Sequence, residues 1–240
     1  MRNRRTQATS DQPPRFGLEG LSEQLAESLE EVKPMLRGWL HLATAPLTLA
    51  AGIVLVVLSP DAPTRLGSAI YALSAVLLFT VSAIFHRGNW SPRVERILQR
   101  FDHANIFLLI AGSYTPFTLL LLDGIDRTIL LSVVWIGAAL GGFFRIFWVD
   151  APRWLYTVIY IGLGWAAAFY FPAFVGTSGT AVLVLMIVGG VLYTAGGVVY
   201  GLRRPNPSPR WFGFHEVFHA FTIAAFVVHY VGISIATYTL

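Results

Sequence analysis

The chain has 240 residues, of which 55% are hydrophobic and only 12% are charged. A soluble chain carries about twice that charged fraction, and the mean hydropathy of +0.62 indicates that lipid covers most of the folded surface. The net charge of +4 is too small to indicate a nucleic-acid partner, and a chain without cysteine can form neither disulfides nor thiolate metal sites.

The N-terminal part of the chain, which precedes the first apolar segment, is polar. Residues 1–17 are basic and contain a Pro-Pro pair, which predicts a disordered arm. No apolar stretch follows before residue 39, so we expect no signal peptide. In residues 18–33 leucines recur at steps of three or four between glutamates, which predicts a cytoplasmic amphipathic helix ended by Pro34.

Residues 34–240 are predicted to form one membrane domain. They contain seven apolar segments of about 20 residues, the length that the hydrocarbon core of a bilayer requires. Arg145 and Glu216 are the only formal charges inside these segments. We therefore predict an all-α fold, a polytopic bundle of seven transmembrane helices. The predicted spans are 39–58, 66–85, 104–122, 128–149, 155–175, 181–201 and 212–238.

The basic residues are distributed unevenly between the two sides of this bundle. With the N-terminus inside, fifteen of the 17 Lys and Arg residues lie on the cytoplasmic side. Only Arg65 and Arg127 lie outside. Because basic residues are retained on the cytoplasmic side, we predict a cytoplasmic N-terminus and an external C-terminus.

Ionisable residues collect at the cytoplasmic ends of the predicted spans, where they are costly and usually functional. Four different spans supply them, which is how metal sites in helix bundles are assembled. These residues are His41, His86, Asp102, His103, His215 and His219.

The segment HEVFH at 215–219 places two histidines one helical turn apart, a spacing that can chelate one zinc ion. The same letters match the H-E-x-x-H pattern of zinc proteases, in which Glu is the general base. Neighbouring residues on a helix face different ways, so we expect Glu216 to point toward water or an arginine. His86 is the best candidate for a third ligand, and Ser82 lies one turn before it.

Each of these polar residues also has a plainer interpretation. His41 and His103 could lie in the headgroup region, and Asp102 could cap the third span. The Ser82 hydroxyl could donate to a carbonyl one turn earlier. His229 lies about 15 Å further along the last helix than His219 and is expected to be a hydrogen-bonded packing residue.

Three motifs together resemble the haemolysin III group of bacterial membrane proteins, which belongs with the progesterone and adiponectin receptors and the alkaline ceramidases. The motifs are SAIFH (82–86), FDHANIFLLIAGSYTPF (101–117) and FGFHEVFH (212–219). The resemblance covers roughly residues 33–238. It implies a seven-helix bundle in a bacterial cytoplasmic (inner) membrane with the N-terminus inside, in agreement with the distribution of basic residues.

The resemblance also implies a zinc ion (Zn²⁺) held by His86, His215 and His219, with a water as the fourth ligand. Asp102 and Ser82 would contact that water and serve catalysis. The first span departs from the family pattern, because KPMLRGWLHLA keeps His41 but lacks the glutamate and asparagine that many relatives carry upstream. Membrane lipids are the expected partners.

Four functions remain open at this point. The first hypothesis is a zinc-dependent hydrolase that cleaves the amide or ester bond of a ceramide-like or other acyl lipid. The second is a receptor-like or membrane-homeostasis protein, not an enzyme, in which zinc is structural. Cytolysis follows from the family name, and an intramembrane metalloprotease follows from HEVFH.

Overall fold

The computed structural model describes residues 34–148 and 150–239. The predicted arm at 1–17 and amphipathic helix at 18–33 lie outside these residues. The described part contains eight α-helices and one short 3₁₀ helix. They are α1 Trp39–Leu58, α2 Ala62–Arg87, α3 Pro92–Leu121, α4 Gly124–Phe147, α5 Arg153–Gly164, the 3₁₀ helix Ala166–Tyr170, α6 Phe171–Thr177, α7 Thr180–Leu202 and α8 Phe214–Thr239.

Seven stretches of the described residues are long and apolar enough to cross a membrane, which confirms the predicted fold class. Six are single helices, whereas the fifth, Arg153–Thr177, comprises α5, the 3₁₀ helix and α6. In a helix the backbone N–H and C=O groups are hydrogen-bonded to one another, so a helix is stable in lipid, where no water is available to bond them. Large apolar side chains accordingly face outward, such as Leu47 with 69% of its surface exposed and Phe147 with 70%.

The helix that contains the third predicted span begins at Pro92, well before the apolar segment that starts at residue 104. Proline is favoured in the first turn of a helix, and the polar residues that follow it extend α3 beyond the apolar segment. Asp102 therefore lies about three turns inside the helix. The interpretation of Asp102 as the helix cap was wrong.

The core of the bundle lies where α2, α3 and α8 meet. The apolar segment of α3 is the most deeply covered, with 56% of its residues buried, against 6% for the fifth span. Tyr71 and Phe79 are completely buried at this junction, and the hydroxyl of Tyr71 donates to the carbonyl of Phe226 on α8. The fifth span consequently forms a peripheral wall.

The interruption of the fifth span is stabilised from α3. The hydroxyl of Tyr114 donates to the carbonyl of Gly164 at 2.6 Å and accepts from the backbone N–H of Ala167 at 2.9 Å. The indole N–H of Trp165 donates to Thr194 on α7 at 2.9 Å. Broken backbone is tolerated at membrane depth where protein groups satisfy it or where it lines a cavity, and both conditions hold here.

Candidate metal centre

Three histidines meet where the last turn of α2 lies beside the first turns of α8. His86 comes from α2, and His215 and His219 come from one face of α8. The Nε2 atoms of His86 and His215 are 3.1 Å apart, and one nitrogen from each of the three rings lies within 4.8 Å of the others. The sequence therefore identified three side chains that the fold brings together.

The donor set of this cluster suits a divalent cation. Nitrogens bound to one tetrahedral zinc at 2.0–2.1 Å would lie about 3.4 Å apart, close to the spacing found for His86 and His215. Nδ1 of His219 is buried and has no hydrogen-bond partner among the described residues. Without a cation, the short contact between His86 and His215 is an imidazole–imidazole hydrogen bond.

Asp102 and Ser82 complete the group that the sequence predicted. Oδ2 of Asp102 is 3.8 Å from Nε2 of His86, and the carboxylate hydrogen-bonds the hydroxyl of Ser82. Ser82 and Asp102 are only 1% and 8% exposed. The carboxylate is therefore close to the histidines without belonging to their convergent set.

Glu216 is turned away from the histidines, as expected for the residue between two ligands on a helix. Its Oε1 accepts from the Nε of Arg37 at 2.9 Å, and its Oε2 accepts from the backbone N–H of Gly213 at 2.8 Å. Both carboxylate oxygens are thus engaged, one by the segment before α1 and the other by the residue before α8. This arrangement removes the geometric basis of the metalloprotease hypothesis, which needs that carboxylate at the metal.

The segment before α1 covers the histidine cluster. Met35 and Leu36 donate backbone hydrogen bonds to the carbonyls of Arg210 and Trp211. Gly38 has a φ of 80°, and a side chain there would come within 2.7 Å of the Cβ of His86. Glycine is therefore required by both the backbone conformation and the close approach to the candidate ligand.

His41 is buried inside the protein beside the histidine cluster and is therefore not exposed to lipid headgroups. It is 2% exposed, and its ring stacks on that of His219 with centroids 3.7 Å apart. Neither of its ring nitrogens has a hydrogen-bond partner among the described residues. The sequence pattern left its role open because the first span lacks the family's usual polar neighbours.

His103 is also buried, contrary to the headgroup interpretation. Arg145 donates to its Nδ1 at 2.7 Å, and its Nε2 is 3.4 Å from the hydroxyl of Tyr200. A guanidinium group only donates, so Nδ1 accepts and the proton of the neutral ring is on Nε2. The guanidinium of Arg145 also lies over the ring of Tyr156 at 4.2 Å. Arg145 stands out in the sequence as a charge inside a span, but the sequence carries no signal for this partner.

His229 is the remaining histidine, and it was expected to be a hydrogen-bonded packing residue. Nε2 of His229 lies 3.2 Å from the carbonyl of Met186, and its ring packs edge-on against Phe117 and Tyr193. His229 is thus a hydrogen-bonded packing residue and lies apart from the convergent set of three nitrogens.

A cavity of about 1080 Å³ extends from the cluster into the bundle. His41, Asp102 and His219 line one end of this cavity, and its further walls are mostly apolar. The arrangement therefore offers polar and metal-ligating groups at one end of a long apolar chamber.

The comparisons with known proteins agree with this architecture. A family model described as "Haemolysin-III related" matches residues 29–230. Hemolysin-3 of Bacillus cereus is 33% identical over 155 residues, which are 64% of this chain and 67% of that protein. The hemolysin-3 homolog of Bacillus subtilis (strain 168) is 34% identical over 156 residues, covering 64% and 69%.

A human protein is similar over an even longer stretch. The monocyte to macrophage differentiation factor of Homo sapiens is 26% identical over 180 residues, which are 73% of this chain and 72% of that protein. The family match spans most of the chain and includes every residue of the histidine cluster. The chain is therefore a multi-pass membrane protein that belongs to the haemolysin-III-related family.

Proposed function

We propose that the protein binds zinc through His86, His215 and His219 and hydrolyses the amide or ester bond of an acyl lipid. The observation that carries this proposal is the position of the cluster, at the polar end of a large apolar cavity. A lipid could place its acyl chain in the cavity and its carbonyl group at the histidines. Membrane lipids are accordingly the proposed partners.

Different residues of the chain have different roles in the proposed reaction. When bound by three neutral imidazoles, zinc acts as a Lewis acid and makes water a better nucleophile near neutral pH. Asp102 is placed to accept the proton of the attacking water and to return it to the leaving group. Ser82 holds the carboxylate of Asp102 by its hydrogen bond, and the apolar walls keep other water away.

Turnover of a lipid panel tests the proposal. Protein purified in mild detergent and loaded with zinc would be incubated with ceramides, other N-acyl lipids and acyl esters, and released fatty acid would be measured. We expect release that stops when the metal is removed by a chelator and returns when zinc is restored. Zinc-loaded protein that releases no fatty acid from any lipid would reject hydrolysis and favour the receptor-like role with structural zinc.

Glu216→Gln separates lipid hydrolysis from protease chemistry. Because Glu216 bonds Arg37 and the backbone of Gly213, we expect the variant to keep its zinc and to retain lipid turnover within about threefold of the wild type. Fatty-acid release and bound zinc are measured on the same preparation. A collapse of turnover at full zinc occupancy would contradict this assignment and restore Glu216 as the general base of a zincin.

Cytolysis is a second candidate, because two Bacillus relatives carry the name hemolysin-3. Release of haemoglobin from erythrocytes by the purified protein tests it. Lysis that is unchanged by chelation would favour this function over zinc-dependent hydrolysis.

We propose that the chain lies in a bacterial cytoplasmic membrane with its N-terminus inside and its C-terminus outside. The support is the excess of basic residues on one side of the seven spans. Alkaline phosphatase, which works only outside the cytoplasm, is expected to be active when fused after residue 240, and green fluorescent protein at the same site is expected to be dark. The reverse pair of results would overturn the orientation and place the histidine cluster at the external face.

A further inference from the structure

A second chamber lies next to the apolar cavity. This chamber holds about 520 Å³ and is bounded by aromatic residues such as Phe117, Phe171 and Phe174. The two chambers share a ring of lining residues, which we call the neck. The neck consists of Ser113, Tyr114, Gly164, Trp165, Gly190 and His229.

Two glycines of the neck have open space where a side chain would be. A Cβ built on Gly164 or on Gly190 would have no heavy atom of the described residues within 4 Å. The adjacent Gly189 differs, because a Cβ there would clash with the ring of His229. Gly189 is therefore needed for packing, whereas the small size of Gly164 and Gly190 leaves room between the chambers.

The distance from the histidine cluster to the neck follows from helix geometry. Along α8, His219 and His229 are ten residues apart, which is about 15 Å. Along α7, Tyr200, whose ring centroid is 5.7 Å from that of His215, lies equally far in sequence from Gly190. An extended alkyl chain rises about 1.25 Å per bond, so the neck lies about twelve carbons from a carbonyl placed at the cluster.

We propose that Gly164 and Gly190 determine the length of the acyl chain that the protein accepts. A chain longer than about twelve carbons passes between them into the second chamber, and a shorter chain ends in the first. The proposed substrate class therefore includes long-chain acyl lipids. This inference rests on the proposed function, because the length is counted from a carbonyl at the histidine cluster.

The test is equilibrium binding of two amides that share a head group and differ in chain length, decanoyl and octadecanoyl. The variant Gly190→Phe places a ring in the neck, and Gly164→Val narrows it from the other span. Gly142→Phe is the matched control, since its Cβ also meets open space and it lines neither chamber. Bound zinc reports that each variant is folded, and fatty-acid release is recorded in parallel.

In Gly190→Phe we expect affinity for the octadecanoyl amide to fall about tenfold or more and affinity for the decanoyl amide to stay unchanged. Gly164→Val should change the two affinities in the same sense, and Gly142→Phe should change neither. Equal changes for both amides, or none, would overturn the inference. Wild-type protein that binds neither amide would also overturn it. Selective binding without any release of fatty acid would instead reject hydrolysis and still support the role of the neck in selecting chain length.

Discussion

Replacement of His219 by alanine is expected to lower the zinc content of the purified protein from about one equivalent to less than about a tenth. Only two imidazoles would remain, and the ring of His41 would lose the surface on which it stacks. His86→Ala and His215→Ala should have the same effect, because the three nitrogens converge on one point. Zinc is measured by mass spectrometry after dialysis against metal-free buffer.

The matched control for this loss is His229→Ala. His229 lies on the same helix and lines the same cavity, but it is about 15 Å further along and bonds the carbonyl of Met186. This variant should keep its full zinc content. Retention of one equivalent by the His86, His215 and His219 variants would mean that the metal is bound elsewhere.

Asp102→Asn is expected to reduce lipid turnover by roughly 10²–10⁴-fold with zinc still bound. Asparagine preserves the shape of the side chain and can accept a hydrogen bond from Ser82, but it is a far poorer proton acceptor. Because the carboxylate oxygen is 3.8 Å from His86 and outside the convergent set of nitrogens, its charge is not required for zinc binding. Initial rates of fatty-acid release and zinc content are compared on the same samples.

Asp123→Asn provides the control for the general loss of a carboxylate. Asp123 lies just before α4, its side chain is 93% exposed, and it pairs only with Arg127 among the described residues. We expect normal turnover and normal zinc. If Asp102→Asn loses zinc and turnover together, the carboxylate is a ligand or a structural residue; if it loses neither, the proposed mechanism fails.

Much of the fold follows from local sequence properties. A run of twenty apolar residues needs a bilayer wherever it occurs, so the seven spans were predictable one by one. The interruption after Gly164 was not, because the hydroxyl that stabilises it belongs to Tyr114 on another helix. The early start of α3 at Pro92 was missed because its first turns are polar and carry no membrane signal.

Some residues of the candidate site were likewise predictable from local sequence, and others were not. The spacing of His215 and His219 is local to one helix and was readable from five letters of sequence. His86 was the best candidate for a third ligand on the sequence alone, and the family resemblance added the contacts of Asp102 and Ser82 with the metal-bound water. In the structure the three side chains lie close together. The stacking of His41 and the contact between His103 and Arg145 depend on packing between distant helices, for which the sequence has no signal.

The ligand set of the bound metal is the central claim, and X-ray absorption at the zinc K-edge measures it directly in the purified protein. We predict three imidazole nitrogens and one further light atom at about 2.0–2.1 Å, with the imidazole signal lost in His219→Ala and unchanged in His229→Ala. A protein that takes up no stoichiometric zinc, or whose zinc has fewer than two imidazole ligands, would contradict the account.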